Sequence, residues 1–195
     1  MMNELINEYL LVIQPNEDLC ERIMTMKQHF AGNYQCPQAT HIKPQITLIK
    51  FSHYEMAESR FVNRFRNIAA VNAPFKITLN DFGSLPAHTI YINIQTTNQL
   101  TVLSKELRQV QAFILPDKQN KPHFITEPLI NIAHKLLPWQ YEKGWLELSN
   151  THFNTSFIVN ELLLLKRKQG GNGYKISERF PLLNNVKRLE QASMF

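Results

Sequence analysis

The sequence predicts an α+β protein built as two related lobes around a central cleft, and three observations lead there. Apolar residues switch repeatedly between helical spacing and period-2 alternation, giving the order β-α-β-α-β-β-α-β-α-β-β. The stretch Pro44-Gln45-Ile46-Thr47-Leu48-Ile49 has a later echo in Pro128-Leu129-Ile130-Asn131-Ile132-Ala133. Each reads as a proline at the mouth of a strand, where its missing N–H costs no ladder hydrogen bond. The elements around the two stretches also correspond, which implies a duplicated βαβ-type lobe with pseudo-twofold symmetry. No linker is long enough to separate independent domains, so residues 1–195 are read as a single bilobal domain.

Taken in order, residues 8–14 (EYLLVIQ) form a short apolar strand that stops at Pro15. Asn16 then suits an N-cap, with Glu17 and Asp18 in the first turn of a helix. Leu19, Ile23, Met26 and Phe30 supply its apolar stripe and Gly32 closes it. A loop over residues 33–42 leads into the first key strand, which runs to about Phe51. Ser52-x-x-Glu55 reads as a capping box for a second helix with the stripe Phe61, Phe65, Ile68, leaving Arg60, Arg64 and Arg66 on a solvated face.

Phe75, Ile77 and Leu79 alternate with polar residues, Asp81-Phe82-Gly83-Ser84 reads as a turn, and Ile90, Ile92 and Ile94 alternate again, so an antiparallel pair is expected. Leu100, Leu103, Leu107 and Val110 mark a third helix, followed by a polar loop at residues 116–122. The echo strand comes next, then a fourth helix opened by Pro138 and Trp139. Residues 157–165 read as one long apolar strand, and Gly170-Gly171-Asn172-Gly173 folds it back into a hairpin partner over 174–180. Residues 184–195 read as a tail or short surface helix.

Composition narrows the function classes. An apolar fraction of 44% argues against disorder. No apolar run is long enough to span a bilayer, and Met1-Met2-Asn3-Glu4 has neither the basic nor the apolar part of a signal peptide. A cytoplasmic location without membrane partners is therefore expected. Cys20 and Cys36 fit no metal spacing and are expected to stay reduced. The 21 basic against 16 acidic residues, a net charge of +5, favour anionic partners weakly.

In a strand, residues two apart share a face, so Gln45 pairs with Thr47, and Leu129 with Asn131. Lys43-Pro44-Gln45-Ile46-Thr47-Leu48, Phe82-Gly83-Ser84 leading to Thr89-Ile90-Tyr91-Ile92, and Glu127-Pro128-Leu129-Ile130-Asn131-Ile132-Ala133 together resemble the 2H phosphoesterase superfamily, in its 2′-5′ RNA ligase-like branch. The segment from Trp139 to Trp145 and the apolar run from Phe157 to Lys166 fit the same branch, so the resemblance covers nearly the whole chain. It implies two antiparallel-rich sheets around the cleft and a cyclic phosphodiesterase or RNA ligase-like activity. It also implies a His-x-Thr/Ser motif on each key strand. Two imidazoles, one from each lobe, would serve as general base and general acid at a phosphodiester, with the hydroxyl two residues on donating to a phosphate oxygen.

The sequence departs from that pattern where the chemistry lies. Gln45 and Leu129 occupy the two histidine positions, Thr47 keeps one hydroxyl, and Asn131 replaces the other. Neither Gln nor Leu exchanges a proton near neutral pH. The expectation is a pseudoenzyme with no catalytic residue, no cofactor and no metal, binding a ribonucleotide or RNA end through Gln45, Thr47, Asn131, Leu129, Lys43 and His123. Gln45 and Leu129 should face each other across the cleft on adjacent central strands. Two alternatives stay open: an active phosphodiesterase or RNA ligase-like enzyme using relocated histidines (His41, His123 or His134), and a protein-interaction module with no cleft ligand. The sequence assigns no oligomeric state.

Overall fold

The structure is a computed structural model that describes residues 5–95, 98–115 and 120–185. Nine strands and four helices alternate along these residues: β1 (Ile6–Ile13), α1 (Glu17–Asn33), β2 (Ile46–Tyr54), α2 (Glu58–Val71), β3 (Phe75–Leu85), β4 (Thr89–Gln95), α3 (Asn98–Arg108), β5 (His123–Phe124), β6 (Ile130–His134), α4 (Pro138–Leu148), β7 (Asn154–Val159), β8 (Glu161–Lys168) and β9 (Lys175–Pro181). They form two antiparallel sheets, as expected. The first runs β5-β2-β1-β8-β9 and the second β6-β4-β3-β7. The expected loop after α1 carries a short 3-10 turn, Pro37–Thr40. Residues 116–119 of the expected polar loop and 186–195 of the expected tail lie outside the described residues.

The halves of the chain are interleaved rather than placed side by side. The first sheet takes strands from both ends of the chain, and α1, which follows β1 of that sheet, packs on β6 of the second. The helix α2 covers the first sheet: Phe61 meets Tyr9 edge-on at 5.0 Å and Phe51 at 5.2 Å, and Phe65 lies 6.0 Å from Phe180. The buried side chains of both sheets join one core. The second sheet is closed by α1 and α4 at very short range. A methyl group added at Gly144 would stand 2.4 Å from the Phe30 ring and 3.5 Å from Ile90, so only glycine lets α4 lie there.

Several expected boundaries move, each for a local reason. Ser52 sits within β2, and α2 begins at Glu58 after a 3-10 turn over Glu55–Ala57, with no side-chain cap at Ala57. Glu55 is instead paired with Lys166 at 2.8 Å, so the expected capping box does not form. Asn16 precedes α1 but makes no side-chain cap bond.

Asp81 to Ser84 is no turn: β3 runs through it with a register shift between Leu79 and Phe82. Asp81 takes φ 53°, and its N–H and carboxylate both bond the backbone of Phe153 at 2.8 Å. The chain reverses later, where Ala87 has φ 68°. The apolar run from Phe157 to Leu165 is two strands, β7 in the second sheet and β8 in the first. The crossing at Asn160 is held by a 2.8 Å bond from the Leu182 N–H to its carbonyl. The expected adjacency of the two key strands fails as well, because β2 lies in one sheet and β6 on the edge of the other.

Candidate functional site

Two of the predicted site residues, Gln45 and Leu129, sit at the mouths of strands. Gln45 directly precedes β2 and Leu129 directly precedes β6; both are half-buried. Ile46 and Ile130, next in sequence, are fully buried and pin the two segments to the core. Thr47 is half-buried opposite Val12 of β1, and Asn131 is exposed beside Tyr91 of β4. The alternation puts Gln45 with Thr47, and Leu129 with Asn131, on the more open face of each strand.

A residue outside the expected set links the approach to one segment with the other. Lys27 of α1 is only 2% exposed, and its ammonium donates to the Ile42 carbonyl at 2.7 Å and to the Asn131 carbonyl at 3.3 Å. Ile42 lies three residues before Gln45. One buried amine therefore spans the approach to β2 and the start of β6, although these belong to different sheets. The apolar stripe read from sequence used Met26, whereas the residues facing inward are Leu19, Ile23, Lys27 and Phe30. The signal was present: Lys27 stands four residues after Ile23, on the buried face of the helix.

Among the described residues Lys27 makes no ion pair, and burial pulls its pKa down from 10.5 to about 8. Above that value the folded chain gives up a proton that the unfolded chain keeps until near the ordinary lysine range. The unfolded state then binds more protons, so stability rises with pH between about 8 and 10.5. Below about 8 both states are protonated and the full burial cost applies. Chemical denaturation at pH 7 and pH 10 should show this rise, on the order of 1–3 kcal/mol, and Lys27→Met should abolish it.

The remaining candidates spread around this centre. Lys43 is exposed between Ile42 and Pro44, close enough to Cys20 to counter part of the upward push that burial gives its thiol. Cys20 donates to the Pro15 carbonyl at 3.3 Å, and neither it nor Cys36 is in a disulfide. His123 is exposed on β5, in register with Lys50 of β2. Leu10 lies opposite Lys50 and Val12 opposite Thr47, so His123, Lys50 and Thr47 share one sheet face. Farther along that face Glu8 accepts bonds from Arg167 at 2.6 and 2.8 Å and from Tyr174 at 3.1 Å. Burial pushes the Glu8 carboxyl up, but Arg167 and Tyr174 outweigh it and hold it below the usual range.

His41 is exposed at the end of the 3-10 turn before β2. His134 is half-buried on β6, and burial together with the charges of Lys135 and Lys27 lowers its pKa. The three histidines named as relocated candidates thus lie on different elements. Among the described residues no cluster of three or more His, Cys, Asp or Glu could hold a metal. Two cavities among the described residues lie elsewhere, one beside α3 and one lined by Asn80, Asn93, Ile94 and Gln95. No helix of the described residues is long and apolar enough to cross a membrane.

The two-sheet architecture is shared with solved structures. Escherichia coli LigT complexed with 3′-AMP aligns over 91% of this chain and 98% of its own, with a TM-score of 0.64 and 18% identity. The same protein complexed with NADP+ gives 0.61 at 16% identity, covering 91% of this chain and 99% of its own. TT0787 of Thermus thermophilus gives 0.59 at 15% identity, over 90% and 98% of the two chains. No curated protein matches the sequence. The model of the 2′-5′ RNA ligase superfamily matches residues 15–171, and the chain belongs to that family of 2H phosphoesterases.

Proposed function

We propose that this protein, a single bilobal unit over residues 1–195, binds a ribonucleotide or RNA end at Gln45–Thr47 and Leu129–Asn131, and that it has lost the family's histidine acid–base chemistry. The observation that carries this reading is the pairing of two facts at one place. Lys27 bonds the carbonyls of Ile42, three residues before Gln45, and of Asn131, and the positions that would hold the imidazoles are Gln45 and Leu129. The remaining groups suit binding: the Gln45 amide and Thr47 hydroxyl on one segment, and the Asn131 amide on the other. Leu129 offers an apolar contact. Lys43 and His123 supply positive charge or hydrogen bonding at the margin. The nucleotides bound in LigT structures, 3′-AMP and NADP+, fit the ligand class. A cytoplasmic setting accords with such a ligand.

A phosphodiesterase assay on adenosine 2′,3′-cyclic phosphate tests the loss of catalysis. Turnover should not exceed background, because the absence of one acid–base partner costs ~10²–10⁴-fold and here both are replaced. The relocated-histidine reading has one observation in its favour, the sheet face that His123 shares with Thr47. Turnover that survives Gln45→Ala and disappears in His123→Ala would establish it instead.

A further inference from the structure

The cavity beside α3 has no role in the site above. It measures about 340 Å³, within the range of ligand pockets, and lies between α3 and the β5 edge of the first sheet. Thr101, Ser104, Lys105 and Arg108 reach it from one helical stripe, and Phe124 and Thr126 from the other wall. Lys105 and Arg108 are exposed and make no ion pair among the described residues; the intervening carboxylate, Glu106, is held by Asn72 at 2.6 Å. Phe124 is half-buried, with the Arg108 guanidinium 5.8 Å from its ring centre. Hydroxyls, two cations and one ring face in a single groove are the parts that hold a phosphate next to a stacked base.

The position of the groove matters as much as its lining. Alternation along β5 puts His123 on the face of Lys50 and Thr47, while Phe124, in register with Ile49, turns to the groove. A chain of phosphates leaving the motif residues would pass Lys50 and His123, cross this two-residue edge strand, and meet Arg108 and Lys105. We propose that the α3–β5 groove is a second binding site, taking a phosphate and its neighbouring base from a single strand of nucleic acid whose end occupies the motif segments. This rests on the reading that those segments bind an RNA end.

The test is fluorescence anisotropy with a labelled single-stranded RNA of about ten nucleotides, a length within the footprint of known single-strand binders. Lys105→Ala with Arg108→Ala should weaken binding about 10-fold and lower the slope of log affinity against log salt by ~0.7, the loss of one phosphate contact. Phe124→Leu, with folding checked by its thermal midpoint, should weaken binding at least about fivefold. Affinity for 3′-AMP, measured by calorimetry, should stay unchanged in the double variant. RNA affinity and salt slope that match the wild type, or no RNA binding at all, would overturn the groove. An equal loss of 3′-AMP affinity would overturn the strand assignment, because the groove would then take a free nucleotide. The two readings fail separately. If Thr47→Val weakens RNA binding and the groove variant does not, the groove alone falls; the reverse pattern removes the motif reading and keeps the groove.

Discussion

Changing Gln45 and Leu129 together to histidine is expected to create measurable hydrolysis of adenosine 2′,3′-cyclic phosphate where the wild type shows none. Both positions are half-buried, one residue ahead of a fully buried isoleucine, so an imidazole introduced at either meets a fixed backbone. Thr47 remains to donate to a phosphate oxygen, and Asn131 offers its amide in place of the second hydroxyl. Restoring the pair should raise the rate by roughly 10²–10⁴-fold over background. The pH profile should be bell-shaped, as two titrating imidazoles require, and each single change should gain far less because acid and base act as a unit. Phosphorus NMR of the cyclic ester reads the outcome directly. A folded double variant that neither binds nor turns over would mean that the segments have drifted apart, and would favour the interaction-module alternative.

Truncating Phe61 to alanine should be the most damaging single change to stability, about 3–5 kcal/mol. The ring is fully buried on α2 and sits at the centre of an aromatic group. Tyr9 lies edge-on at 5.0 Å, Phe51 at 5.2 Å, His53 tilted at 5.6 Å and Phe65 at 6.2 Å. Removing it strips packing from β1, β2 and α2 together, so the cavity cannot close by the shift of one element. Urea denaturation should show the midpoint falling with the slope unchanged. A loss under about 1 kcal/mol would show that the site collapses freely, and that α2 is not what fixes the first sheet.

The parts of the fold that were readable in advance are those where local and tertiary demands agree. The fourth helix was legible because Pro138 opens it, and the last hairpin because Gly170 and Gly173 both take φ 72°. The turn expected at Asp81–Ser84 failed for the opposite reason. Its residues favour a turn locally, but Asp81 satisfies its backbone and carboxylate on Phe153, so the bulged strand continues. The run from Phe157 to Leu165 reads as one strand only if Asn160-Glu161 is passed over; these polar residues mark where the chain leaves the second sheet for the first. Interleaving of the halves was silent in the sequence, because βαβ patterning does not say which sheet a helix will cover.

At the candidate site the sequence nominates Gln45, Thr47, Leu129 and Asn131 through strand alternation and passes over Lys27. A stripe drawn from apolar residues alone passes over a lysine whose amine is spent on the Ile42 and Asn131 carbonyls. The α3–β5 groove was hidden because Phe124 and Arg108 meet only through the fold.

The central claim is that the motif segments bind a nucleotide and leave it intact. A nitrogen-15 resolved NMR titration with adenosine 2′,3′-cyclic phosphate, followed over hours, tests both halves at once. Saturable shifts at the amides of Gln45 to Thr47 and Leu129 to Asn131, with the ligand still cyclic at the end, are the result expected. Ring opening of the ligand, or shifts that leave both segments untouched, would contradict it.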